Sequence, residues 1–204
     1  MAEEGVPLTD DGRVDMDLFS SAFGEDIIQQ DKKALKQITS LPDYVENNVG
    51  ELAELLIPIL FNEFIGDKFL IFRTSVFDDI FNGADTIIVD KETGKIVCAV
   101  DEASSIHSSS FLAKKHKIEE KNNKGGVDLK YGITYNKGEI KLIKLQKIPL
   151  FVLGFPLNEV ADMISKINFD KPSEIEKALF NFFVALINEQ SKQNKSNFKL
   201  KKIS

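Results

Sequence analysis

The sequence predicts a single α/β or α+β domain. Three observations predict it. One apolar stripe recurs at three- and four-residue spacing, as a packed helix requires. Two β-type runs flank a short turn, as the strands of a hairpin do. The chain then continues as helix, strands and helices, so both element types mix along one polypeptide.

Residues 1–24 read as an acidic, poorly ordered lead. They hold scattered Gly, Pro and Asp, with one short apolar group around Met16 and Phe19. A short helix is expected over residues 24–38. Pro42 then opens a long helix, in which Val45, Val49, Leu52, Leu55, Leu56, Ile59, Leu60 and Phe64 form the stripe. So many apolar positions imply packing on more than one side, and Gly66 ends the pattern as a C-cap glycine would. Residues 69–72 read as a strand, and residues 74–83 as a loop carrying the acids Asp78 and Asp79.

The central hairpin follows. Residues 84–90 and 96–102 are β-type runs, and the turn between them contains Thr93 and Gly94. Pairing about Thr93 sets Asp85 opposite Asp101. Directly opposed side chains lie ~5 Å apart on one face of a sheet. Two carboxylates at the open end of a buried hairpin repel each other unless a cation or a proton intervenes. The pair is therefore a candidate Mg²⁺ site.

Residues 104–110 form a hydroxyl-rich link whose serines can cap a helix over residues 111–120. Residues 122–126 are a loop by composition. Leu129, Tyr131, Ile133 and Tyr135 alternate with Lys130, Gly132 and Thr134, which marks a half-exposed strand. A turn at 136–138 leads to a strand over 140–145, and residues 150–153 are another apolar run. Helices are expected over 158–167 and 173–190, the second with Pro172 just before its start. The main domain is thus residues 25–190, followed by a basic tail, 191–204.

Composition narrows the class. A length of 204 residues suffices for one substantial core. The most apolar segment, residues 52–65, is short and carries Glu54, Asn62 and Glu63, so no membrane span is expected. The single cysteine, Cys98, excludes an intramolecular disulfide and fits a reducing compartment; with no signal-peptide pattern, a cytoplasmic location is expected. The net charge is −6, but it is unevenly spread. Residues 1–31 hold nine acids against the single Arg13, whereas residues 114–147 hold ten lysines against four acids. Such a bipolar chain can present a basic face to nucleic acid despite its low pI.

Glu51 and Glu54 share a face of the long helix. An acid on a helix packed beside the hairpin adds a third carboxylate, and hard cations take such oxygen ligands. Gly50 and Glu54, then Phe72-Arg73-Thr74-Ser75, Gly83-Ala84-Asp85 and Val100-Asp101-Glu102 together resemble the PD-(D/E)xK nuclease superfamily, more specifically its archaeal Holliday-junction resolvase and Mrr-like branches. The resemblance covers residues 45–120. It implies a restriction-endonuclease-like core, with a mixed central β-sheet flanked by helices. It also implies that Glu54, Asp85 and Asp101 bind Mg²⁺ or Mn²⁺, that DNA is the substrate, and that the protein is a homodimer. Arg73, Lys117 and Lys130 become candidate contacts to the nucleic-acid backbone. Arg73 could equally pair with a loop aspartate.

One departure matters. The family's lysine follows the second acid by two residues, and here that position is Ala103. Three readings stay open. Lys114 or Lys115 supplies the ammonium from the following helix. Alternatively, hydrolysis has been lost and the nuclease-like module only binds nucleic acid or a protein. Or Glu102 replaces Asp101 as the metal-binding acid, although strand alternation turns it to the opposite face. Other chemistry is poorly served. His107 and His116 have no nearby cysteine or third histidine for zinc, and the serine cluster lacks a nucleophile-elbow context.

Overall fold

The computed structural model describes residues 8–40, 48–103, 106–107, 109–136, 139–155 and 172–193. In chain order these form a 3₁₀ turn (Met16–Phe19), α1 (Ser20–Phe23), α2 (Glu25–Thr39), α3 (Asn48–Ile65), β1 (Phe69–Arg73), a π turn (Asp78–Asn82), β2 (Thr86–Asp90), β3 (Ile96–Ala103), α4 (Ser109–Asn123), β4 (Val127–Asn136), β5 (Glu139–Ile148), β6 (Leu150–Gly154) and α5 (Glu174–Gln193). The expected Pro42 start of α3, the turn at 137–138, the helix over 158–167 and the tail from 194 lie outside the described residues.

The central sheet runs β1-β2-β3-β6. β1, β2 and β3 are antiparallel neighbours and β6 joins β3 in parallel, so the sheet is mixed. Strand alternation gives it two buried faces. Phe69, Ile71, Ile88, Cys98, Val100, Phe151 and Leu153 pack with α3 and α5. Leu70, Phe72, Ile87, Val89, Ala99, Leu150 and Val152 pack with the β4–β5 hairpin, α2 and the N-terminal segment. Helices therefore flank a mixed central sheet, as expected. No helix among the described residues is long and apolar enough to cross a membrane.

The N-terminal segment departs from the expected poorly ordered lead. Val14, Met16 and Phe19 are buried, and Phe19 meets Tyr131 of β4 edge-on with ring centroids 5.1 Å apart. The Val14 amide donates to the Arg73 carbonyl, which ties the segment to the end of β1. The reason is hydrophobic: Val14, Met16 and Phe19 join Ile28 of α2, Ile118 of α4 and the β4–β5 hairpin in covering the second sheet face. The expected loop over 74–83 also contains structure. A π turn there closes on Gly83, whose φ of 60° is left-handed and suits glycine.

Candidate functional site

β2 and β3 pair in the expected register: Thr86 faces Val100, Ile87 faces Ala99 and Ile88 faces Cys98. The paired register ends at Thr86; the Asp85 amide donates to the Val100 carbonyl at 2.8 Å, which leaves Asp85 at the open end of the hairpin near Asp101. Both carboxylates are buried. Asp85 Oδ2 accepts the Glu102 amide at 2.6 Å, which fixes that side chain on the end of β3.

Glu54 approaches from α3. Its Oε2 accepts from Arg73 Nη2 at 2.7 Å and from Arg13 Nη2 at 2.9 Å. The π turn supplies Asp79, whose Oδ2 accepts from Arg13 Nη1 at 2.8 Å. Its neighbour Asp78 anchors that turn. The Asp78 carboxylate accepts from the Ser75 hydroxyl, the Asn82 amide group, and the Lys130 and Tyr131 main-chain amides, all within 2.9 Å. With Asp78 turned inward against β4, Asp79 is left to join Glu54. One carboxylate oxygen from each of Glu54, Asp79 and Asp85 lies within 4.8 Å of the other two.

This set differs from the expected Glu54, Asp85 and Asp101. Asp101 is instead paired through Oδ1 with the Lys114 ammonium, which also donates to the Glu102 carbonyl at 2.5 Å. Glu102 is outside the set as well. Its carboxylate accepts from the Thr86 hydroxyl at 2.9 Å, and its Oε2 is buried with no hydrogen-bond partner. Thr86 lies on the α3 face, so alternation has carried Glu102 away from Asp85.

Burial dominates the electrostatics. It pushes Asp85 well above the usual carboxylate range, helped by the charges of Asp79, Glu102 and Asp101. It does the same to Glu102, with Glu54 adding to the effect. Glu54 rises through burial and Asp79 despite its two guanidiniums, and Asp101 rises through burial despite Lys114. For Lys114, burial works against the charge, but Asp101 and Asp85 overcome it and its pKa is raised. Lys121, one helical face along α4, is lowered by burial; its ammonium donates to the Asn82 carbonyl at 2.6 Å.

The expected basic residues separate into three groups. Lys114 reaches the acids. Lys115 forms no ion pair with the described acids, and Lys117 is exposed on α4. Lys130 is held by Asp31 at 2.5 Å and lies over the Phe77 ring, 5.1 Å from its centroid. Arg73 is only 5% exposed and is committed to Glu54, not chiefly to a loop aspartate, so its guanidinium is not available to a phosphate. Two residues went unrecognised in the sequence. Asp79 reads as a loop acid, and Arg13 reads as the lone base of an acidic segment. The only local signal was the doubled acid Asp78-Asp79 ahead of Gly83.

No protein-family model, curated protein or solved structure matches the chain.

Proposed function

We propose that this chain is a metal-dependent nuclease of the PD-(D/E)xK type, with a restriction-endonuclease-like core, that hydrolyses DNA phosphodiester bonds. The observation that supports this most is the convergence of Glu54, Asp79 and Asp85 from three separate elements beside a lysine–aspartate pair. The donor set fits a hard cation. All three groups offer carboxylate oxygen, and their spacing is compatible with bonds of about 2.0–2.6 Å to one ion. Glu54, Asp79 and Asp85 would hold Mg²⁺ or Mn²⁺. When bound, the ion supplies Lewis-acid charge at the phosphate and favours ionisation of water.

The remaining residues have separable roles. Lys114, kept cationic by Asp101 and Asp85, would stabilise negative charge developing on the phosphate and is not suited to taking a proton. Asp101 orients that ammonium. Lys114, Lys117 and Lys121 are spaced three and four residues apart on α4, so they share one helical face that can track a phosphate backbone. Lys114 thereby stands in for the lysine that Ala103 lacks.

The test is incubation of the protein with plasmid and with single-stranded DNA, with and without Mn²⁺. Metal-dependent cutting that disappears in Asp85→Ala is the expected outcome. No cutting by the wild type, or equal cutting by Asp85→Ala, overturns the proposal. One observation favours a second reading, a nuclease-like module that binds nucleic acid or a protein without cutting. Two guanidiniums already pair with Glu54 without any metal ion. Salt-dependent DNA binding with no cleavage in any metal would support that reading.

A further inference from the structure

Arg13 has no part in the hydrolysis just described, yet it is built into the centre of the site. Its residue is 8% exposed. Its guanidinium spans two acids from different elements, with Nη2 on Glu54 Oε2 at 2.9 Å and Nη1 on Asp79 Oδ2 at 2.8 Å. The main chain that carries it is fixed locally. The Thr9 amide donates to the Arg13 carbonyl at 2.8 Å, the Arg13 amide donates to Thr9 Oγ1 at 3.2 Å, and Leu8 bridges Val14. Arg13 also bridges Arg73 of β1, whose own Nη2 takes the same Glu54 oxygen.

Each acid is thus gripped through one oxygen. Among the described residues, no hydrogen bond or ion pair engages Glu54 Oε1 or Asp79 Oδ1. A planar guanidinium is suited to this task, because its fork holds two oxygens in a fixed geometry that an ammonium cannot reproduce. Hydrogen-bonding partners of metal-ligating carboxylates orient them, and losing such a partner typically costs roughly 10- to 100-fold in metal affinity.

We infer that Arg13 is a positioning residue of the carboxylate site: it holds one oxygen of Glu54 and one of Asp79, leaving the other oxygen of each for a divalent cation. The N-terminal segment is then part of the working site, not an appendage. This inference rests on the reading of Glu54, Asp79 and Asp85 as a cation site.

Mn²⁺ titration of the full chain by calorimetry tests it, with wild type, Arg13→Gln and Arg13→Lys compared below the unfolding temperature of each. Arg13→Gln should bind Mn²⁺ roughly 10- to 100-fold more weakly, and Arg13→Lys, which keeps the charge but not the rigid fork, should fall between. Affinity equal to or tighter than wild type in Arg13→Gln overturns the inference. Should Arg13→Gln fail to fold, Arg13→Lys decides: unchanged affinity overturns the inference, and weakened affinity supports it. A wild type that binds no Mn²⁺ sinks the cation-site reading itself, whereas equal binding by wild type and variant sinks only the role of Arg13.

Discussion

The Lys114 ammonium pairs with Asp101 and bonds the Glu102 carbonyl at 2.5 Å, so α4 delivers to the end of β3 a cation that β3 itself lacks. Asp101 and Ala103 lie two residues apart on β3 and therefore share a face. A lysine at either origin could serve the same pocket.

Lys114→Ala should lower DNA cleavage by about 10²-fold or more, the scale of a lost electrostatic stabiliser, and change Mn²⁺ affinity little. Adding Ala103→Lys to that variant should restore part of the rate. Single-turnover cleavage of plasmid DNA measures both. If Lys114→Ala cuts as fast as wild type, α4 does not supply the missing cation.

Asp85 and Glu102 make a pH prediction for the metal-free protein. Burial, with neighbouring charge, raises both well above their ordinary values. A raised carboxyl favours the fold while protonated. Its stabilising contribution is therefore complete below the unfolded value, near ~4, and is lost as pH rises through the folded value. Thermal stability should fall as pH climbs from mildly acidic to neutral. Asp85→Asn should unfold at higher temperature than wild type at pH 7 and show a flatter pH profile, yet lose cleavage. A lower melting temperature for Asp85→Asn at pH 7 would contradict the assigned cost of burying this charge.

Part of this site is legible in the sequence because strands and helices have fixed periods. Once Thr93 is taken as the turn centre, the period of two fixes Asp85 against Asp101 and turns Glu102 away, and the structure keeps that register from Thr86 to Ile88. Glu54 is legible only through the Gly50–Glu54 spacing that resembles the nuclease pattern, because the stripe of α3 does not choose it over Glu51. Asp79 is not, because adjacency with Asp78 leaves open which acid turns inward; main-chain amides of β4 settle it, from more than fifty residues away. Arg13 is less legible still. Its partners Glu54 and Asp79 lie 41 and 66 residues along the chain, and no local period connects them. The short apolar group around Met16 and Phe19 was visible, but its burial depends on a sheet face formed only by the folded chain.

Phe19 tests whether the N-terminal segment belongs to the fold. Its ring is fully buried against Phe23 and Tyr131. Phe19→Ala should cost about 3–5 kcal/mol, as aromatic truncations in cores do. Chemical denaturation followed by circular dichroism measures this directly. A loss under ~0.5 kcal/mol, the range of surface substitutions, would mean that the segment is only loosely attached.

Cys98 should be inert in the folded state. It is fully buried in β3, and burial pushes its thiol up to about 12. The thiolate is the reactive form, and at pH 8 almost none is present. Ellman's reagent should therefore titrate no thiol in native protein and one per chain in guanidinium. Rapid labelling under native conditions would show that β3 is open to solvent.

Asp79 and Asp101 should separate cleanly in a metal titration. Asp79 offers an oxygen to the same small space as Glu54 and Asp85, whereas Asp101 already carries the Lys114 ammonium. Asp79→Asn keeps the side-chain volume but removes the negative charge a hard cation needs. It should weaken Mn²⁺ binding strongly. Asp101→Asn should leave Mn²⁺ affinity near wild type and act on rate instead, since it releases Lys114 from its oriented position. The reverse pattern, with Mn²⁺ affinity lost in Asp101→Asn and kept in Asp79→Asn, would return the site to the ligand set expected from the superfamily pattern. It would also remove the π turn from the chemistry.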